Sequence, residues 1–270
     1  MVIHLAHLVV LVVDNITPIT YSNIIKNLNC IRMESPTKPI QTTKIANEQT
    51  VSTKFDSVKF SFYFTYVLLI TTGTITLVEA LATTNPIIRH VMNLETCISI
   101  IAGYFYSQFI SKITTGSGVV DYKSISETRY NDWFITTPLM LLALMIALAY
   151  NNKESVHIST YVSAVLLNFG MLYTGYLGEK NTISKMNGCI LGFIFFAALF
   201  ALIYFSFVKN SKIMFNFILF GIYLFIWGLY GFVYLLDEEN KNIIYNILDV
   251  TAKSFVGLGL WTYFTKILVF

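Results

Sequence analysis

Seven long apolar segments follow one another through most of this 270-residue chain, and they leave it few ways to fold. A bilayer core about 30 Å thick takes about 20 helical residues to cross. The segments, at about 60–84, 91–112, 129–150, 156–177, 186–208, 213–236 and 243–268, each meet that length and are separated by polar connections. An apolar fraction of 55%, only 12% charged residues and a mean hydropathy of +0.64 lie outside the range of an ordinary soluble domain. The sequence therefore predicts an integral, multi-pass membrane protein of the all-α class, a seven-transmembrane helix bundle in contact with the lipid bilayer. A net charge of +3, contributed largely by the N-terminal part, gives no footprint for nucleic acid.

Residues 1–59 read as a separate region. Met1–Val13 is apolar but too short to span; it is signal-like, without a basic start or a clear cleavage site. From Asp14 to Lys59 the chain is polar, with Pro36 and Pro39, and reads as a flexible segment. Met33 offers an alternative start, and Asn15-Ile16-Thr17 fits a glycosylation sequon. The longest connection, at about 111–128, has Gly116-Ser117-Gly118 beside β-forming residues and suits a small hairpin. Basic residues do not orient the bundle: Arg89, Lys153, Lys209 and Lys212 fall on one set of loops, and Lys112, Lys123, Lys180, Lys185 and Lys241 on the other. Cys30, Cys97 and Cys189 have no metal-binding spacing, and no metal site is expected.

Ionisable residues inside spans are costly and carry the functional reading. Asp249 and Lys253 stand four apart in the last span, so a helix stacks them on one face. Such a lysine can form a Schiff base with a carbonyl compound, and the protonated product needs a negative counterion. In the third span Arg129, Asp132, Trp133 and Thr136 share a face, and Asp132 can accept a hydrogen bond from Thr136. Pro138 should bend that helix. Trp227, Tyr230 and Tyr234 form a stripe in the sixth span, either packing or a cofactor wall, and the buried lysine favours the wall. Two further acids, Glu79 and Glu95, lie in spans one and two; Thr65, Thr72, Thr76 and Thr83 continue the Glu79 face. Asn242 and Asn246 extend the Asp249/Lys253 face, as interhelical hydrogen-bond partners or as the lining of a wet cavity.

The motif Arg129-Tyr130-x-Asp132-Trp133-x-x-Thr136-Thr137-Pro138, with Asp249-Val250-x-Ala252-Lys253, resembles the microbial (type I) rhodopsin family over residues from about 60 to 270. The resemblance implies a seven-helix bundle with an internal retinal pocket, a photoreceptor and transporter rather than an enzyme. It makes Lys253 the Schiff-base site of covalently bound all-trans retinal, Asp132 and Asp249 its counterions, and Trp133, Trp227, Tyr230 and Tyr234 the walls around the polyene and ring. Thr136, Thr137, Met140, Met171 and Gly175 join the pocket, and Tyr104 matches the family tyrosine near the counterion. The resemblance also places the N-terminus outside and the C-terminus in the cytoplasm. A homo-oligomer is compatible with it and not required.

Three departures from the pump pattern bear on mechanism. Ala143 stands where proton pumps keep a carboxylic donor, Gly231 where the sixth helix usually has proline, and Asp237-Glu238-Glu239 does not match the usual release carboxylates. With Arg129, Glu79, Glu95, Asn242 and Asn246 outlining an ion path, the leading expectation is a light-gated cation channel resembling the channel-forming viral rhodopsins. A light-driven outward proton pump, with Asp132 as acceptor and Glu95 or Glu79 in resupply, is the alternative. The translocated species is accordingly a cation or a proton.

Overall fold

The computed structural model describes residues 42–115 and 120–267. The expectations for the first 41 residues, including the signal-like run, the sequon and the alternative start, lie outside the described residues, as does the Gly116-Ser117-Gly118 centre of the expected hairpin. The chain divides into two units, Met1–Ser52 and Thr53–Phe270. Residues 42–52 of the first are helical; the second is a bundle of helices.

The helices are α1 (Thr42–Ala82), α2 (Pro86–Thr115), α3 (Tyr122–Asn152), α4 (Ile158–Glu179), α5 (Lys185–Ile203, extended by a π-helical turn Tyr204–Val208), α6 (Met214–Val233) and α7. The last starts as Glu238–Asp249, passes through a π-helical stretch Val250–Phe255 and resumes as Val256–Phe264. Among the described residues, five helices, all but α2 and α4, are long and apolar enough to cross a membrane by length and composition alone. Polar residues such as Glu95 and Arg89 in α2, and Asn168 in α4, dilute the other two. The seven-segment pattern is therefore realised as seven helical rods.

Polar first turns place helix starts earlier than hydropathy does. Asp121 caps α3, its side chain accepting from Ser124 N at 3.0 Å, and Lys112 Nζ reaches Thr128 Oγ1 at 2.8 Å. These ties let α2 run to Thr115 and α3 begin at Tyr122, so the connection expected at 111–128 is much shorter. Asp237 likewise caps α7, and Glu238 and Glu239 fill its first turn, where carboxylates complement the helix dipole. The acidic run is thus a helix start rather than a loop.

Within lipid, helices associate by close packing and hydrogen bonds rather than by the hydrophobic effect. A Cβ at Gly188 of α5 would meet the Thr174 carbonyl oxygen of α4 at 2.9 Å, so glycine sets that close approach. Of the membrane-crossing stretches of α3 and α7, 61% is buried inside the bundle, against 22% for α5. The two helices that bear the ionisable motifs are therefore the central ones.

Candidate functional site

The site forms where α3 and α7 face each other. Lys253 is 1% exposed, and its Nζ lies 2.6 Å from Asp132 Oδ2 and 3.4 Å from Asp249 Oδ1. It sits in the π-helical stretch, a local widening often found at functional positions. The two carboxylates are held differently. Asp249 Oδ1 accepts from Tyr230 OH at 2.8 Å, and Oδ2 accepts from Tyr106 OH at 2.7 Å and Arg129 Nη1 at 3.2 Å. Asp132 Oδ2 bonds only to Lys253, and Oδ1 is buried without a hydrogen-bond partner. The Thr136 hydroxyl does not supply one, contrary to expectation. It bonds the Asp132 backbone carbonyl at 2.8 Å, as threonines within helices commonly do.

Arg129 is fully buried. Its Nε donates to Asn242 Oδ1 at 3.0 Å, Nη1 to Tyr106 OH at 3.0 Å, and Nη2 to Asn246 Oδ1. The guanidinium carbon lies 5.0 Å from the Phe109 ring centroid and 5.3 Å from that of Phe62, within cation–π range. Arg129 and Lys253 balance Asp132 and Asp249, so the buried cluster carries no net formal charge. Asn242 and Asn246, expected either as bonding partners or as a wet lining, are both engaged: Asn246 Nδ2 donates to Ser61 Oγ at 2.9 Å and Asn242 Nδ2 to Ser126 Oγ at 3.1 Å.

One residue expected near the counterion is elsewhere. Tyr104 is 61% exposed on the outer face of α2, and Tyr106 takes the place at Asp249. Two residues advance a helix by about 200°, which puts them on opposite faces. The available signal was the stripe Glu95, Ser99, Ala102, Tyr106, Phe109, spaced 4, 3, 4 and 3, all of them buried.

Beside Lys253 opens a cavity of about 110 Å³, far more than the roughly 10–15 Å³ that one water needs. Of the expected pocket residues, Trp133, Thr137, Met140, Met171, Gly175, Trp227, Tyr230 and Tyr234 line it, together with Asp249 and Lys253; Thr136 does not. Tyr245 was missed from sequence. Its ring lies 5.1 Å from Trp133 and 5.5 Å from Tyr230, and its place four residues before Asp249 was the clue. Tyr130 and Phe196 are further unforeseen walls. Aromatic walls with one buried amine and the Asp249 carboxylate at the end, and Asp132 behind the amine, fit a long apolar molecule with one reactive carbonyl terminus, and retinal has that form.

The remaining two acids lie apart from this cluster. Glu95 is 2% exposed with Oε1 unpartnered, and the equally unpartnered hydroxyls of Thr72, Ser99 and Ser254 are buried on α1, α2 and α7. A Cβ at Gly257 would come within 2.9 Å of Glu95 Oε2 and 3.3 Å of Thr72 Cγ2, so glycine lets α7 close on them. Glu79 is partly exposed and accepts from Trp261 Nε1 at 3.3 Å.

A family model for bacteriorhodopsin-like proteins matches residues 56–267. Among solved structures, the viral rhodopsin OLPVRII is 43% identical with a TM-score of 0.74, over 78% of this chain and 99% of its own. The rhodopsin of Exiguobacterium sibiricum is 20% identical, TM-score 0.65, over 79% and 98%. A thermophilic rhodopsin is 23% identical, TM-score 0.64, over 77% and 92%; these two likenesses concern the fold. No curated protein matches the chain. The helical bundle, the buried lysine between two carboxylates and these matches agree: the chain belongs to the bacteriorhodopsin-like family of microbial rhodopsins, membrane proteins with a retinal chromophore that serve as photoreceptors or ion transporters.

Proposed function

We propose that the chain is a light-driven outward proton pump, with all-trans retinal held covalently at Lys253, the N-terminus outside and the C-terminus in the cytoplasm. Bound there, retinal supplies light absorption and a double-bond isomerisation that displaces the lysine nitrogen. The observation that carries the reading is the inequality of the two carboxylates. Asp249 is saturated by Tyr106, Tyr230 and Arg129 and serves as a fixed charge, while Asp132 has a free oxygen and a 2.6 Å contact to Lys253 Nζ. A proton leaving that nitrogen therefore has Asp132 as its acceptor. Trp133, Trp227 and the tyrosines wall the pocket with aromatic rings, an apolar surround that favours exchange between these two groups over exchange with solvent.

Resupply from the inner side falls to Glu95. Ala143 offers no proton, whereas Glu95 is a buried acid with an unpartnered oxygen on the side of α7 away from Arg129's network. The unpartnered hydroxyls of Thr72, Ser99 and Ser254 suit ordered water between it and Lys253.

The light-gated cation channel is the second reading, and those same four unpartnered groups favour it, since water there could extend into a conducting path with Glu95 and Glu79 selecting cations. It ranks second because Arg129, Asn242 and Asn246, which would line the outer half, are tied into hydrogen bonds between rings. Photocurrent under voltage clamp separates the two. A current that stays outward at every voltage is expected, and one that reverses near an ionic equilibrium potential refutes the pump.

A further inference from the structure

Retinal is almost wholly apolar and dissolves in lipid rather than in water, so the way it reaches Lys253 is set by the bundle. Both ends of the bundle are closed by polar ties. Toward the start of α7, Arg129 is held by Asn242 and Asn246, and Lys241 lies between Glu179 and Glu238. At the other end Asn216 Nδ2 of α6 donates to the Leu148 carbonyl of α3 at 3.1 Å, and its Oδ1 accepts from Asn151 Nδ2 at 2.8 Å. Tyr263 OH of α7 donates to Asn151 Oδ1 at 3.0 Å. An apolar molecule entering by either end would part these bonds and leave buried polar groups unpaired, which is costly.

The flank between α5 and α6 is built differently. There the cavity wall includes two phenylalanine rings of α5 laid on glycines of α6. A Cβ at Gly231 would stand 2.5 Å from Phe193 Cζ, so glycine is what admits that ring. A Cβ at Gly228 would stand 3.7 Å from Phe196 Cζ. Phe193 and Phe196 are both half-buried, and Phe193 also meets the Phe232 ring of α6 at 5.2 Å. The neighbouring Ile194 of α5 and Phe232 are 60% and 65% exposed, so lipid reaches this seam. Phenyl rings carry no hydrogen-bonding group, and moving them aside breaks dispersion contacts alone.

We propose that Phe193 on Gly231, with Phe196 on Gly228, is a side door through which retinal passes from the bilayer to Lys253; this rests on the reading of Lys253 as its attachment point. The carbonyl end enters first, because the amine lies on α7 across the cavity from α5. The ring end follows, and Phe193 closes on Gly231 behind it. Gly231, which stands where a proline is usual, thereby has a task that the proton exchange does not give it: it is the seat on which the door rests.

The test is loading of the full chain in nanodiscs, bleached with hydroxylamine in light, washed, and given all-trans retinal from lipid vesicles. Quenching of tryptophan fluorescence reads arrival beside Trp133 and Trp227, and visible absorption reads linkage. Phe193→Ala should speed quenching several-fold, and Gly228→Leu, whose Cβ clears Phe196 but whose branch adds bulk to the seam, should slow it. Ile194→Ala, at the exposed next position, should load at the native rate, as should Asn216→Ala, which loosens the ties at the inner end. A native rate in Phe193→Ala overturns the door, and faster loading in Asn216→Ala alone moves the entrance to that end and overturns it equally. If Phe193→Ala does not fold, Phe196→Ala decides: several-fold faster quenching supports the door and a native rate refutes it. Lys253→Ala keeps the two readings apart. Quenching at the native rate without colour is expected there, whereas colour would refute the attachment point, an outcome distinct from an unaltered rate in Phe193→Ala.

Discussion

Replacing Tyr106 with phenylalanine removes one hydroxyl from the centre of the charge cluster. That hydroxyl lies 2.7 Å from Asp249 Oδ2 and accepts from Arg129 Nη1 at 3.0 Å, and its ring is fully buried against Phe62 and Phe109. Hydrogen bonds to charged groups are worth about 1.5–3 kcal/mol each, and Asp249 keeps Arg129 and Tyr230 as donors, so about 2 kcal/mol is the expected loss. For a domain of this size that corresponds to a fall of roughly 4–8 °C in the midpoint of thermal colour loss. Tyr104→Phe is the matched control. Its side chain is 61% exposed, and the change should fall within about 0.5 kcal/mol of no effect. The assay is thermal bleaching of the two purified pigments beside the unsubstituted one. Equal midpoints for Tyr106→Phe and the parent, or an earlier loss in Tyr104→Phe, would refute the placement of Tyr106 beside Asp249.

Asp132→Asn should leave a coloured protein that moves no protons, because the acceptor beside Lys253 is gone; pH recording on illuminated vesicles checks this. Glu95→Gln should retain the first proton transfer and slow recovery of the dark state by about 10²-fold, seen by flash spectroscopy, as expected for loss of a positioned acid. Lys253→Ala should abolish visible absorption with retinal, and retained colour would place the linkage elsewhere. Gly188→Leu drives a side chain into the Thr174 carbonyl and should cost about 3 kcal/mol or more, read as loss of folded pigment, whereas Gly221→Ala, with nothing within 4 Å, should be tolerated.

Much of the architecture was readable from residue order because lipid enforces long apolar runs, and the helix interiors fall where those runs do. The starts of α3 and α7 were not, since Asp121 and Asp237 begin helices with polar turns that hydropathy reads as loop. At the site, spacing paired Asp249 with Lys253 and Arg129 with Asp132 within their own helices, and the two pairs meet as the family resemblance implied. The family resemblance pointed to Tyr104, but two positions turn a helix to its opposite side, and the buried stripe that starts at Glu95 runs through Tyr106 instead. Whether Asn242 and Asn246 line a wet path or bond their neighbours could not be decided from one helix, because Ser61, Ser126 and Arg129 come from others. The same holds for the free oxygen of Asp132, a matter of which donors arrive from α2 and α6.

The widened coil at Val250–Phe255 has a mechanical consequence. Its turns close over one more residue than those of the α-helical pieces on either side, so the stretch behaves like an inserted residue absorbed in place. A pull on the Lys253 side chain can be taken up by a change in winding there, while Glu238–Asp249 and Val256–Phe264 keep their own bonding. With the chromophore linked at Lys253 as proposed, its anchor is a compliant joint set between two stiff rods, and force applied at the lysine is dissipated along a few residues before it reaches either end of the helix.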